Sequence, residues 1–300
     1  MKQTLMPHLW FDKEAVEASQ FYTSIFPDSQ VTHTSIIKDT PSGDCDIVHF
    51  TIMGYQFQAI SAGPYFKLNP SISFMVHLRS KEQIDQIWKK LIDGGEALMP
   101  LDTYDFNEHY GWVKDKFGVT WQLMFTDQKT QVVPALMFVQ DNTGKAEEAT
   151  DYYIDIFKNS PLQKANETKR GIIARYPAGV PSDLEGTVMY TDFQLAGQLF
   201  AAMDSGQDHK FNFNEGVSII VSCESQEEID YLWKKLSAVP ESEQCGWLKD
   251  KYGVSWQIVP SEMDAMMEEG TEKQKQAVTK SFLKMKKFNI EELRRAYISA

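Results

Sequence analysis

The apolar positions change period along the chain. Ala18, Phe21, Tyr22 and Ile25 recur at three- and four-residue spacing, which predicts a helix with one buried face. His8 to Phe11 reads as a short strand before it. Ile47 to Ile52, Gln56 to Ser61 and Ile72 to Leu78 read as short strands after it, with turn residues between. Asp12 is placed to cap the first helix. Ser80 and Gln83 have the spacing of a capping box and open a second helix. Lys-Asp-Lys-Phe-Gly (114–118) reads as a turn, and Val119 to Phe125 as the strand that leaves it.

The same order then returns. Ala135 to Val139 is a second opening strand, and Ala149, Tyr152, Tyr153, Ile156 and Phe157 answer to Ala18, Phe21, Tyr22, Ile25 and Phe26. Phe211, Asn214 and Ser218 answer to Phe66, Asn69 and Ser73, and Ser225 with Glu228 forms the second box. Six of the seven tryptophans mark the duplication. Trp88 and Trp233 stand 145 apart, while the pair Trp112 and Trp121 stands 135 before Trp247 and Trp256. Such a repeat has to be read before the fold. Each copy reads β-α-β-β-β and then α-β-β. The expected class is α+β, with one domain over 1–128, a second over 129–260 and a helical extension over 261–300. In the extension, Thr271 to Lys287 is expected to be helical, with Val278, Phe282 and Met285 on one stripe. A further helix starts at Asn289, boxed with Glu292, and runs through Leu293 and Tyr297. The extension either packs across the repeats or simply covers core.

The pattern also separates core from candidate site. Trp88 and Trp233 fall on the apolar face of a helix and read as core. Trp121 and Gln122 are adjacent in a strand and point to opposite faces; if Gln122 faces a cavity, Trp121 packs under the helices. An amide in an apolar cup needs a partner, whether a ligand, a water or a neighbouring strand, or it costs about 1–3 kcal/mol. The copies differ in one place. Between Trp88 and Trp112 lie 23 residues, and between Trp233 and Trp247 only 13. The surplus, around Pro100 to Tyr110, is expected to be a longer hairpin in solvent or a lid.

Composition narrows the function. The net charge is −12. Residues 1–128 carry 10 basic and 16 acidic side chains, 129–260 carry 12 and 19, and the tail carries 8 and 7, so no basic patch supports nucleic-acid binding. Tryptophan, tyrosine and phenylalanine number 7, 12 and 18, enough to build cores. No apolar run spans a bilayer and no signal peptide is read at the N-terminus. Cys45, Cys223 and Cys245 form no CxxC, which points to a reducing cytoplasm. The sequence has no GxGxxG, P-loop, HExxH or GxSxG motif.

Several stretches carry a resemblance: Pro-His-Leu-Trp-Phe-Asp (7–12), Phe-Tyr-Thr-Ser-Ile-Phe-Pro-Asp (21–28), Ile-Ser-Phe-Met-Val (72–76), the run from Gly111 to Gln122 and the run from Cys245 to Pro260. Through these the chain resembles the PhnB-like branch of the vicinal oxygen chelate, or glyoxalase and bleomycin-resistance, superfamily. The resemblance implies tandem domains of paired βαβββ modules that curl into a cupped sheet with an internal cavity. It also implies that two copies in one chain replace the dimer of a single-domain relative. Members are sometimes labelled methyltransferases of ubiquinone synthesis, but no glycine-rich loop of the usual methyl-donor-binding type is present. Metal-dependent members carry His or Glu on cavity-facing strands. The resemblance places Gln122 and Gln257 at the usual final Glu, Ser71 and Gly216 near the usual His, and Pro7 or His8 and Pro134 or Ala135 on the first strand. No histidine is shared by the copies.

The expectation is therefore a cytoplasmic protein that binds a small molecule in an aromatic cavity, with no catalytic metal and no cofactor. Trp10, Phe66, Asn69, Trp112, Gln122, Phe211, Asn214, Trp247 and Gln257 are the candidate ligand-binding residues. The partners expected are a small-molecule ligand, no nucleic acid and no membrane, the protein being a monomer with an internal pseudo-dimer or a homodimer. Two alternatives stand beside it. One is a metal-dependent lyase, isomerase or dioxygenase using one domain, with His8, His49 or His77 and Glu108 as ligands. The other is a regulatory module whose partner site is the tail.

Overall fold

The computed structural model describes residues 3–181 and 184–300. Four modules follow one another. The first is β1 (Leu5–Phe11), α1 (Ala15–Ile25), β2 (Gln30–Thr40), β3 (Gly43–Ile52) and β4 (Tyr55–Ser61). The second is β5 (Ile72–Leu78), α2 (Lys81–Leu91), β6 (Glu96–Tyr104), β7 (Asn107–Lys114) and β8 (Thr120–Phe125). The third is β9 (Gln131–Phe138), α3 (Ala146–Lys158), β10 (Lys169–Arg175), β11 (Val188–Leu195) and β12 (Gln198–Asp204). The fourth is shorter: β13 (Val217–Cys223), α4 (Gln226–Leu236), β14 (Trp247–Lys249) and β15 (Ser255–Pro260). The tail adds α5 (Ser261–Glu269), α6 (Glu272–Phe282) and α7 (Ile290–Ile298).

The strands form two sheets, and each sheet takes one module from each repeat. The seven-stranded sheet has the order β14-β15-β13-β1-β4-β3-β2, joining the first module to the fourth. The eight-stranded sheet, β10-β11-β12-β9-β5-β8-β7-β6, joins the second to the third. Both joints are antiparallel: β1 meets β13 with His8 opposite Ser218, and β5 meets β9 with Ser73 opposite Ala135. Within every module the first strand pairs in parallel with the last. The α+β architecture of paired, cupped modules with a helical tail is thus present, with the pairing running across the repeats.

The two-residue period of the strands sorts the faces. Leu5, Leu9, Phe57, Val217 and Ile219 of one sheet, and Phe74, Val76, Trp121 and Leu123 of the other, point to the helices and share one continuous core. Trp121 lies against Tyr22 and Phe26 of α1, and Trp256 against Tyr153 and Phe157 of α3. Each repeat is therefore packed internally through its core while its strands pair with the other repeat. The buried aspartates of the two Lys-Asp-Lys turns hold these tryptophans. Asp115 Oδ2 accepts Trp121 Nε1 at 2.9 Å and Asp250 Oδ2 accepts Trp256 Nε1 at 2.9 Å.

Several local expectations need correction. Strands β2 and β6 are present although no apolar alternation announced them. β2 is a sheet edge, much of it exposed, and β6 spends the ten surplus residues on a hairpin with β7. Asp12 does not cap α1, because Ser61 at the end of β4 accepts the Ala15 N–H at 3.1 Å. Ser80 and Ser225 do cap α2 and α4, but each makes only its own half of the box. The Glu228 carboxylate turns to the Glu224 N–H instead. Trp88 and Trp233 are half-buried at the margin of the core. The Trp88 ring covers Gly111, where a Cβ would stand 2.5 Å from it. The helix expected to reach Lys287 ends at Phe282, and α5 precedes it unannounced.

The tail has a definite seat. Cys245 N and Gly246 N donate to the Met285 and Lys286 carbonyls at 2.8 and 2.7 Å, so residues 285–286 lie along the short edge at β14. Gly246 has φ +83°, and a Cβ there would meet the Phe288 ring at 2.5 Å. The fourth module lacks the hairpin strand that β6 supplies in the second, and the tail occupies that side.

Candidate functional site

On the face away from the core, the seven-stranded sheet and the tail line an open-mouthed cavity of about 620 Å³. Its apolar wall comprises Met6, Trp10, Ile60, Phe66, Ile220, Trp247 and Val259, and its tail side Met263, Met267, Phe282 and Phe288. Trp10 meets Phe66 edge-on at 5.0 Å and Trp247 at 6.0 Å, and its Nε1 is engaged by the Gly63 carbonyl at 2.8 Å. The three aromatic rings therefore form a fixed wall.

A polar row crosses the floor. Register places His33 opposite His49, His49 opposite Gln58, Gln58 beside His8 and His8 opposite Ser218, on five adjacent strands. Gln58 Nε2 and His49 Nε2 are 3.0 Å apart, and Gln257 Nε2 donates to Ser218 Oγ at 2.9 Å. His8 is 2 % exposed, lies edge-on to Trp247 at 5.4 Å, and its Nδ1 has no hydrogen-bond partner. His33 Nε2 is likewise unpartnered. Burial, with His49 adding to it, lowers the His8 pKa to about 3, so the ring is neutral at ordinary pH.

The eight-stranded sheet carries the matching face with different contents. Ala135 stands where the first cup has His8, and Ala201 where it has Gln58. Gln122 donates to Ser73 Oγ at 2.7 Å, as Gln257 does to Ser218, but it also accepts the Tyr110 hydroxyl at 2.7 Å. In the first cup the position of Tyr110 is taken by Cys245, which lines the cavity. Met75, Val133, Ala135 and Ala201 pack into a small buried cluster of their own.

Of the nine residues expected to touch a ligand, Trp10, Phe66, Trp247 and Gln257 line the first cup. Gln122 lies on the second cup face with Trp112, its register partner, and Phe211 stacks near His209 at 4.9 Å. Asn69 and Asn214 serve the chain crossings. Asn69 donates to the Asn212 carbonyl at 3.0 Å and Asn214 to the Lys67 carbonyl at 2.8 Å, each also accepting the N–H two residues on. The sequence reading missed Gln58, His33 and the tail residues as cavity lining. The serines that meet the paired glutamines are Ser73 and Ser218.

The floor does not suit a divalent metal. Among the described residues no three His, Cys, Asp or Glu side chains converge as a ligand set. The floor row holds three imidazoles, His8, His49 and His33, spread over three strands, with the neutral Gln58, Ser218 and Gln257 and no carboxylate among them. His8 and His49 lie on the seven-stranded sheet, while His77 lies on the other with Glu108, which is paired with Lys81 at 3.0 Å.

The model of the family described as 3-demethylubiquinone-9 3-methyltransferase matches residues 3–124 and again 130–259. A PhnB protein from Bacillus cereus is 33 % identical over 41 % of this chain and 100 % of its own, with a TM-score of 0.39. Glyoxalase I from Zea mays is 9 % identical, covers 86 % of this chain and 93 % of its own, and has a TM-score of 0.53, a likeness of fold. No curated protein matches the chain.

Proposed function

We propose a function from one premise: the chain belongs to the 3-demethylubiquinone-9 3-methyltransferase, PhnB-like family of the glyoxalase fold, and both of its repeats carry the match. We infer that it binds one planar or amphipathic small molecule in the first cup. The observation that carries this is the cup-shaped cavity of about 620 Å³, apolar and aromatic on its walls and polar on its floor. That size and lining suit a ligand of a few fused or substituted rings. Trp10, Phe66 and Trp247 would hold its faces, and His8, Gln58 and Gln257 its polar edge. We assign no methyl transfer, since no loop for a methyl donor was read in the sequence, and no step through a metal.

The protein's surroundings fit the same picture. The cysteines are unpaired, which suits a reducing cytoplasm, and among the described residues no helix is long and apolar enough to cross a membrane. Since each sheet already unites two repeats, we expect a monomer with the pseudo-dimer inside.

Calorimetric titration with 2-naphthol tests this. One saturable site per chain is expected, abolished by Ile220→Trp, which fills the first cup, and retained in Met203→Trp, which intrudes on the second. The absence of a saturable site, or its loss in Met203→Trp alone, would overturn the assignment.

A further inference from the structure

The chemistry of the cup floor narrows the ligand class. This step rests on the ligand-cup reading above. The floor offers hydrogen bonds without charge: a neutral imidazole with an unpartnered Nδ1, the Gln58 amide bonded to His49, and Gln257, whose Nε2 is used by Ser218. The second cup shows the closed version of the same constellation. There Tyr110 delivers a phenolic hydroxyl to the Gln122 oxygen at 2.7 Å. In the first cup that aromatic hydroxyl is replaced by Cys245, while the amide that would receive it, Gln257, is kept. The cavity therefore opens beside the place where the other cup holds its own phenol.

We propose that the first cup takes a ligand bearing a phenolic or enolic hydroxyl, seated between Gln257 and His8, with its ring against Trp10 and Trp247. A hydroxyl donates and accepts, so it serves either tautomer of His8 as well as an amide oxygen. A carboxylate or phosphate fits less well. Among the described residues that line the cavity there is no Lys or Arg, while four are acidic, Glu215, Glu241, Asp264 and Glu268, and Glu215 is paired with Lys249 at 2.7 Å. An apolar analogue leaves the floor unsatisfied.

The test compares 2-naphthol with 2-methylnaphthalene, equal in shape and lacking only the hydroxyl, by calorimetry on the full chain. The wild type is expected to bind 2-naphthol at least about tenfold more tightly, because the buried groups are left unpaired by the methyl compound. In His8→Phe the ratio should fall toward one while 2-methylnaphthalene still binds. Nitrogen-15 spectra of the wild type give a readout independent of any variant: the His8 ring signals should move with 2-naphthol and stay with 2-methylnaphthalene. Equal affinities in the wild type, or unmoved His8 signals, overturn the hydroxyl requirement and leave the ligand cup standing. Failure of both compounds to bind overturns both.

Discussion

The two cups are built from the same module pattern and differ in what surrounds a shared pair. One has His8, Gln58, Trp10 and Cys245; the other has Ala135, Ala201, Met137 and Tyr110 in the corresponding places. Both keep the serine and glutamine pair, at 2.9 Å in the first and 2.7 Å in the second. The shared pair is thus part of the frame. What changes between the cups is whether the glutamine amide is met by a hydroxyl from within. In the second, Tyr110 meets the Gln122 amide and two alanines stand where the first has His8 and Gln58, while the Trp112 and His77 ring nitrogens there are unpartnered. In the first, polar groups are buried without full partners, and such sites are where a fold gives up stability for binding. Duplication frees one copy of a site to close while the other stays open.

The comparison can be broken most severely by separating the repeats. Residues 1–128 expressed alone hold one module of each sheet, so they should pair with a second copy or fail to fold. Sedimentation of a folded monomer would show that the cross-repeat sheets are not required. A smaller effect separates the two Lys-Asp-Lys turns. Asp250 accepts the Tyr153 hydroxyl at 2.7 Å besides Trp256 and the Tyr252 and Val254 N–H groups. Asp115 accepts Trp121 and two N–H groups, and the Tyr22 hydroxyl faces it without closing to hydrogen-bond geometry. Asp250→Ala should cost about 4 kcal/mol, and Asp115→Ala about 1 kcal/mol less, measured by urea unfolding.

The smallest effect is in pH dependence, where His8 and Asp115 pull in opposite directions. His8 is held near 3 in the fold, against an ordinary 6.5. Its contribution to stability is complete above pH 6.5 and is lost as pH falls toward 3, because only the unfolded chain takes up the proton in that range. Asp115 is pushed up to about 6 by burial, with Trp121 opposing, so its contribution is complete below pH 3.8 and is lost as pH rises through 6. Between pH 6 and 4, His8→Gln should remove a slope of up to about 1.4 kcal/mol per pH unit. Unchanged acid sensitivity in that variant would mean that His8 is hydrated in the native cup.

Much of this was visible in the chain. The tryptophan spacing announced the duplication, the serine caps fixed the starts of α2 and α4, and the opposed faces of Trp121 and Gln122 appear as expected. What stayed hidden has two physical causes. Strand partners are chosen by contacts distant in sequence, and a strand in one repeat carries no local mark saying which repeat it will pair with. β2 was hidden because an edge strand facing water has no apolar alternation. The site was hidden for another reason. Looking for residues kept in both repeats favours the frame, whereas the open cup is defined by residues that differ. His8 has no counterpart in the other repeat, where Ala135 stands in its place, and that difference is what opens the floor. Trp10 and Trp247 were found because large aromatics are conspicuous whatever their role.

The joint between β1 and β13 has a consequence for synthesis on the ribosome. β1 is made first, but its antiparallel partner emerges about 200 residues later, a wait of roughly ten to forty seconds at ordinary elongation rates. During that time one edge of β1 has nothing to bind and is open to wrong strands. Pro7 stands in the middle of that joint, opposite Ile219, and Pro134 stands at the same place in β9, opposite Phe74. A proline offers no N–H to an intruding strand. The missing N–H of Pro7 faces β4, however, since the Trp10 N–H and the Thr4 carbonyl are the groups that reach β13. The waiting edge of β1 therefore keeps its donors, whereas β9 has no such wait because β5 is made before it.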